Sequence, residues 1–356
     1  MRRTPRTAAA RRAERRGHAV PDPARSQEPR REDCPWCGSA RLRTRVQARR
    51  SAPEAVRPGA FGVDECRDCA HVFRNPCPAA EESARRGHHD APDGRPAYDR
   101  FTERLLGARE SARRHRAAAR ALGPHQEPES WLDVGTGHGH FPEAAKEIHP
   151  YTSFDGLDPT RRVHQARAAG RVEEAHRGHL TDPAVLARLR SRYDVLSMVH
   201  HLERTPDPRA ELRAALAVLR PGGHLLIEAA DPGCAFGRLL GRRWVPHGSP
   251  HHLHLVPPAN LLTELEALGC AIVATDHREP HLPYDLAGAL ALTLARALPT
   301  PDTRGRTAPL RTALARAAVP LAATATAADH VLAPLLRRTR FANAYRVIAR
   351  TPPSSA

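Results

Sequence analysis

Aromatic side chains are scarce. Phe, Trp and Tyr make up 4% of the 356 residues, which leaves little to stack an extruded nucleobase. Lysine is nearly missing, with Lys146 alone, so the basic residues are almost all arginine. No apolar h-region follows the first residues, which excludes a secretory signal, and no run reads as long and apolar enough to span a bilayer. Seven cysteines without such a signal exclude a disulfide framework. The expected location is cytoplasmic.

Charge is present in excess, at a formal +16. Residues 1–31 hold ten Arg against Glu14, Asp22 and Glu28, a net +7. That stretch has no apolar period and several prolines, and reads as a disordered arm. The body is only moderately basic.

The cysteines are placed in a pattern. "CPWCG" supplies Cys34 and Cys37, "CRDCAHVF" supplies Cys66 and Cys69, and 28 residues separate the pairs. Two C-x-x-C knuckles can bring four thiolates tetrahedrally onto one Zn²⁺, and a closed Cys₄ shell makes that metal structural. A redox dithiol is the competing reading. Residues 32–77 are the expected zinc-ribbon-like module, and 78–128 a linker with N-terminal helices, where His88 and His89 read as solvated loop residues.

From Ser130 the chain alternates between strand and helix. "SWLDV" is a strand, "GTGHG" a turn and "HFPEAAKEIH" a helix; "YTSFDGLDPT", "RVEEAHRG", "YDVLSMVHHLER", "HLLIEAADP" and "CAIVATDH" give further strands. "DPRAELRAALAVLRPGG" reads as a helix closed by Gly222 and Gly223. This is an α/β pattern: a mostly parallel sheet with helices on both faces and ligands beyond the carboxyl ends of its strands. The core is expected over 129–284, an Ala/Leu-rich helical insertion over 285–340, and the last strand and tail over 341–356. The insertion reads either as a lid or lipid-facing surface, or as extra packing on the sheet edge.

Gly135, Gly137 and Gly139 in "WLDVGTGHGHF" let a ligand approach backbone. The spacing is G-x-G-x-G, with Asp133 two residues ahead; a carboxylate there repels a pyrophosphate and attracts an ammonium. S-adenosylmethionine offers that ammonium and a sulfonium. Asp158, 19 residues after Gly139, can accept hydrogen bonds from ribose hydroxyls. A plain turn with glycines for close packing stays open as an alternative.

These residues resemble the class I SAM-dependent methyltransferases, from about Cys34 to Asp276, with a last strand in "FANAYRVIAR". "LDVGTGHGHF" resembles their first motif, "GLDPT" their ribose-binding acid, and the stretch from Tyr193 to Pro232 their DvV…LEHvpdP…LkPGG segment. The paired C-x-x-C leader is similar to that of one bacterial subgroup. The resemblance implies a Rossmann-like seven-stranded sheet whose last strand runs antiparallel between strands five and six. It places Asp133, Gly135, Thr136, Gly137 and Gly139 around the methionine part of S-adenosylmethionine, Asp158 on its ribose, and Met198 and His200 near adenine or the transferable methyl. Where the family has LEH this chain has Leu202, Glu203, Arg204, so no role of that histidine carries over; Gly269-Cys270 replaces its G-F.

Methyl transfer from a sulfonium needs the three reacting groups held in line, and a base only for a hydroxyl or a protonated amine. His200 and His201 are the expected candidates, ahead of His251, His252 and His254. The expected activity is methyl transfer to an O, N or C nucleophile of a small molecule. A nucleic-acid methyltransferase using the arm and zinc module, or a non-catalytic zinc-dependent interaction protein, are the alternatives; "MVHHLER" lacks the Asn/Asp-Pro-Pro-aromatic signature of amino-directed base methylation.

Overall fold

A computed structural model describes residues 28–47, 62–78, 108–123, 127–249, 251–297, 313 and 317–353. Most of the expected arm, most of the linker with His88 and His89, and the middle of the expected insertion lie outside the described residues.

The central strand, β4 (Ser130–Val134), pairs in parallel with β5 (Ser153–Asp158) on one side and β7 (Tyr193–Val199) on the other. β6 (Ala175–Arg177) extends the first side and β8 (Leu219–Ala230) the second. β11 (Ala344–Arg350) then lies antiparallel between β8 and β10 (Ala271–Asp276), so the order is β10-β11-β8-β7-β4-β5-β6. This is the expected seven-stranded sheet, with its last strand inserted and reversed. The chain leaves β4 for β5 and later returns to its other side with β7, so a crevice opens above the carboxyl ends of β4 and β7.

Side-chain alternation feeds a core on each face. Trp131, Phe154, Val195, Leu226 and Ile348 face one way, onto Ala118, Ala119 and Leu122 of α1 (Ala108–Arg120) and its C-terminal turn, and onto Phe141 and Ala145 of α2 (His140–Lys146). Leu132, Leu196, Ile227 and Val347 face the other way, onto Leu212 and Ala215 of α5 (Pro208–Val218) and Leu261 and Leu265 of α8 (Pro258–Ala267). Each such side chain, removed from water, contributes roughly 1.5–3 kcal/mol. α3 (Arg162–Ala168) and α4 (Pro183–Leu189) connect the remaining parallel strands. Asp-Pro starts both α4 and α5: the Asp182 carboxylate accepts from Ala184 N and the Asp207 carboxylate from Ala210 N, while Pro183 and Pro208 need no amide partner.

Two boundaries differ from expectation. α5 stops at Val218 and does not run to the glycines, because residues just ahead of Pro221 leave the helical region, and Leu219 already pairs with Tyr193. A two-residue strand, β9 (His254–Leu255), joins β3 (Val72–Arg74) and so completes a small antiparallel sheet with β2 (Val63–Cys66) and β1 (Leu42–Val46). The cysteine module is therefore stitched to a loop of the larger unit.

α6 (Ala235–Leu240) and the short α7 (Val245–Gly248) follow β8. α9 (Asp285–Ala297) and α10 (Val319–Leu336) represent the expected insertion. The Asp329 carboxylate accepts from Leu286 N and Ala287 N at 3.0 and 2.9 Å, tying α10 to the start of α9. α10 corrects the expectation that no run is long and apolar enough for a bilayer. Its 18 residues meet that standard of length and composition, because alanines and leucines outweigh its single acid. Asp329 is its one buried residue, and Val319, Leu321, Val331 and Leu335 are exposed.

Candidate active site

The loop after β4 is fixed from beneath. Gly135 N and Thr136 N donate to Leu157 O at 2.8 and 3.2 Å, and Gly139 N donates to Thr136 O at 2.8 Å. Gly135, Gly137 and Gly139 have φ of +76°, +53° and +76°, where a side chain costs roughly 1–2 kcal/mol. Two of them differ in what surrounds them. A Cβ on Gly135 would run into the His201 ring, whereas one on Gly137 would meet nothing within 4 Å among the described residues. Gly135 is shaped by packing, while Gly137 presents bare backbone to open space.

Both expected acids are here. Asp158 ends β5, and its Oδ2 accepts from Gly137 N at 3.1 Å while Oδ1 accepts from Thr160 N at 2.8 Å. Asp133 is 3% exposed, and its Oδ1 accepts from Ser197 Oγ at 2.6 Å, which in turn accepts from Trp131 Nε1 at 3.0 Å. Burial pushes Asp133 up to about 7 despite that hydrogen bond; an arriving cation would favour its ionised form. Met198 lies in the apolar core with Val134, Leu157 and Leu202, so its reach toward the loop is through packing.

The histidines separate. His201 Nε2 bonds Glu211 Oε1 of α5 at 3.0 Å, which holds its ring against Gly135. His254 is buried between His71 Nε2 and Pro206 O, both at 3.1 Å, and His252 Nδ1 meets Pro246 O at 3.2 Å. Burial pushes His252 and His254 down to about 4, so both are neutral near pH 7. His200 follows β7 directly, with φ +52°, unusual for a residue with a side chain, and its N–H donates to Glu228 O at 2.9 Å. Its Nδ1 lies 3.1 Å from Glu203 Oε1, and its Nε2 is buried without a partner. Glu203, in the 3-10 turn Leu202–Arg204, is a site residue that sequence reading passed over as mere family pattern.

The four module cysteines also converge. Cys34 and Cys69 sulfurs are 3.6 Å apart, as are those of Cys37 and Cys66, and all four lie within 4.8 Å of one another. Tetrahedral Zn–S bonds of about 2.3 Å require sulfurs about 3.8 Å apart. The sulfurs therefore fit a zinc ion. Burial pushes the Cys34 thiol up to about 11 in the metal-free chain. A separate cleft of about 390 Å³, lined by Glu127, His149, Asp194 and Arg220 among others, lies at the amino ends of the strands and shares no residue with this site.

Residues 98–275, half of the chain, match a family model described as a methyltransferase domain. The chain belongs to that methyltransferase-domain family. Its similarity to the ubiquinone biosynthesis O-methyltransferase of Aeromonas salmonicida is 29% identity over 149 residues, 40% of this chain and 62% of that one. For the protein of the same description from Idiomarina loihiensis it is 27% over 152 residues, again 40% and 62%. The chain thus spans less than two thirds of the length of these curated relatives. Solved structures of similar shape include the cyclase SpnF, at 21% identity and TM-score 0.43, covering 68% of this chain and 81% of that one. Another is an O-methyltransferase family protein from Burkholderia thailandensis, at 20% and 0.42, covering 54% and 57%.

Proposed function

We propose that this methyltransferase-family chain moves a methyl group from S-adenosylmethionine to a nucleophile of a small-molecule acceptor, with a structural Zn²⁺ in its Cys34/Cys37/Cys66/Cys69 module. The observation that carries this reading is the open backbone at Gly137, bonded to Asp158 and neighboured by Asp133. It suits a zwitterionic, sulfur-cationic ligand and repels a diphosphate. Asp158 would hold the ribose hydroxyls; Asp133, Gly135, Thr136, Gly137 and Gly139 would surround the methionine part, and Met198 would support the floor beneath. S-adenosylmethionine supplies an electrophilic methyl on sulfur. The protein's part is to hold the acceptor in line and to exclude water. His200 is placed to take a proton and His201 to hold the glycine loop in shape. The relatives' description as O-methyltransferases supports a small-molecule acceptor.

The test is thermal denaturation with S-adenosylmethionine and S-adenosylhomocysteine. Wild type should be stabilised by both. Asp158→Ala should lose about 10- to 100-fold in affinity, as expected for about 1.5–3 kcal/mol of hydrogen bonds to a charged group. Equal shifts in the two proteins would remove the ribose assignment, and no shift in wild type would remove the cofactor.

A further inference from the structure

Glu203 is 1% exposed, yet among the described residues its carboxylate bonds only the Ala230 amide, at 2.9 Å, and His200 Nδ1. Its Oε2 is buried without a partner. A buried carboxylate costs several kcal/mol unless it is paired. The neighbouring Glu228 shows the usual remedy: Arg346 Nε donates to its Oε1 at 2.7 Å and Arg114 lies 3.6 Å from its Oε2. Glu203 has instead an imidazole, a group without permanent charge. Desolvation opposes its charge, and the hydrogen bonds from His200 and from the Ala230 amide favour it. An ionised carboxylate only accepts, so Nδ1 must carry the proton and Nε2 the lone pair. The left-handed backbone of His200, at φ +52°, adds strain of the kind that gathers at functional positions. The outcome is an imidazole with one nitrogen anchored and the other lacking a donor.

We propose that Glu203 is a positioning residue that orients His200 as general base, and that, of the two acceptor types a base serves, the acceptor bears an ionisable hydroxyl, as the relatives' description as O-methyltransferases favours. This rests on the methyl-transfer reading above and narrows its substrate class. The acceptor hydroxyl gives its proton to His200 Nε2 as an oxygen electron pair forms the new C–O bond. The C–S bond breaks with its pair left on sulfur. The products are a methyl ether, S-adenosylhomocysteine and an imidazolium facing the Glu203 carboxylate. The charged and titratable groups facing His200 are Glu203 and Arg204 from the 3-10 turn, Glu228 from β8 with Arg346 and Arg114 behind it, and His252 from the segment before β9.

The full chain, zinc-loaded, is assayed with tritiated-methyl S-adenosylmethionine and two phenolic probes, 3,4-dihydroxybenzoate and 4-nitrocatechol. Glu203→Gln keeps the acceptor for Ala230 N and removes the charge. It should lower kcat about 100-fold, within the range for a disabled general base, with the KM for S-adenosylmethionine unchanged and the acid limb of the kcat profile displaced. An unchanged kcat and profile would overturn the positioning role; no transfer to either phenol by wild type that binds the cofactor would overturn the hydroxyl assignment. Should wild type fail to bind S-adenosylmethionine, the broader reading falls instead. Ring ¹⁵N NMR of wild-type His200 decides the matter even where Glu203→Gln does not fold. A proton on Nδ1 is expected, and one held on Nε2 alone would sink the dyad.

Discussion

Gly135 and Gly137 are two residues apart with the same sign of φ, yet substitution should separate stability from binding. Gly135→Ala adds a methyl into the His201 ring on top of the left-handed backbone cost. It should lower the melting temperature by a few degrees, since about 1 kcal/mol shifts a chain of this size by roughly 1–2 °C and the ring clash adds to the backbone cost. Gly137→Ala meets nothing among the described residues and carries the backbone cost alone, so it should keep more of the stability and lose S-adenosylmethionine affinity. Differential scanning fluorimetry with and without the cofactor checks both; the reverse pattern would mean that Gly137, not Gly135, is the packing glycine. The three glycines and the two acids could be read directly, because close backbone approach leaves a residue-type signature. Glu203 could not. Its partner His200 sits three residues away across a turn, and only the turn's geometry joins them.

At the scale of elements, the cysteine module reaches the site through backbone. Arg74 N, on β3, donates to Leu253 O at 2.8 Å, and Leu253 N donates to Glu203 O at 2.7 Å. His71 meets His254 at the next step, Asn260 Nδ2 donates to Cys69 O at 2.9 Å, and Arg209 lies 4.8 Å over the Trp36 ring. Chelating the metal from the full chain should therefore loosen β1, β2, β3 and β9 together. Hydrogen exchange should rise over 62–78 and 253–256, and acceptor turnover should fall. Cofactor binding should persist, since the loop between β4 and β5 shares none of those bonds. Elemental analysis should give one zinc per chain; unchanged exchange on metal removal would disprove the coupling. The C-x-x-C pairs were plain in the sequence, but β9 was not, because two residues carry no periodicity.

Across the whole molecule, buried titratable groups set the pH at which the fold is firmest. Desolvation pushes His115, His252, His254 and His281 down to about 4 and His247 to about 3, from 6.5. These imidazoles charge more readily in the unfolded chain, so stability is full above about pH 6.5 and is lost as pH falls toward 4. Asp285 and Asp133 act oppositely: burial lifts them from 3.8 to about 8 and about 7, so the folded state holds protons that the unfolded state releases, and stability declines as pH rises through that range. Among the described residues His71 is also held down and Asp231 and Asp329 are also raised by burial; the histidines outnumber these acids below pH 6.5 and the acids act alone above it, so the melting temperature is highest near pH 6.5–7. A scan from pH 4.5 to 9 checks this, and a higher melting point at pH 5 than at pH 7 would contradict it. The succession of strands and helices and the glycine loop followed from the sequence alone, since period and turn chemistry are local properties, and the reversal of the last strand followed from the family resemblance. That His200 turns one nitrogen onto Glu203, that Glu203 lies buried, and how the cysteine module grips the core were decided only by tertiary structure, because each depends on how a turn and distant segments close over the same water-free space.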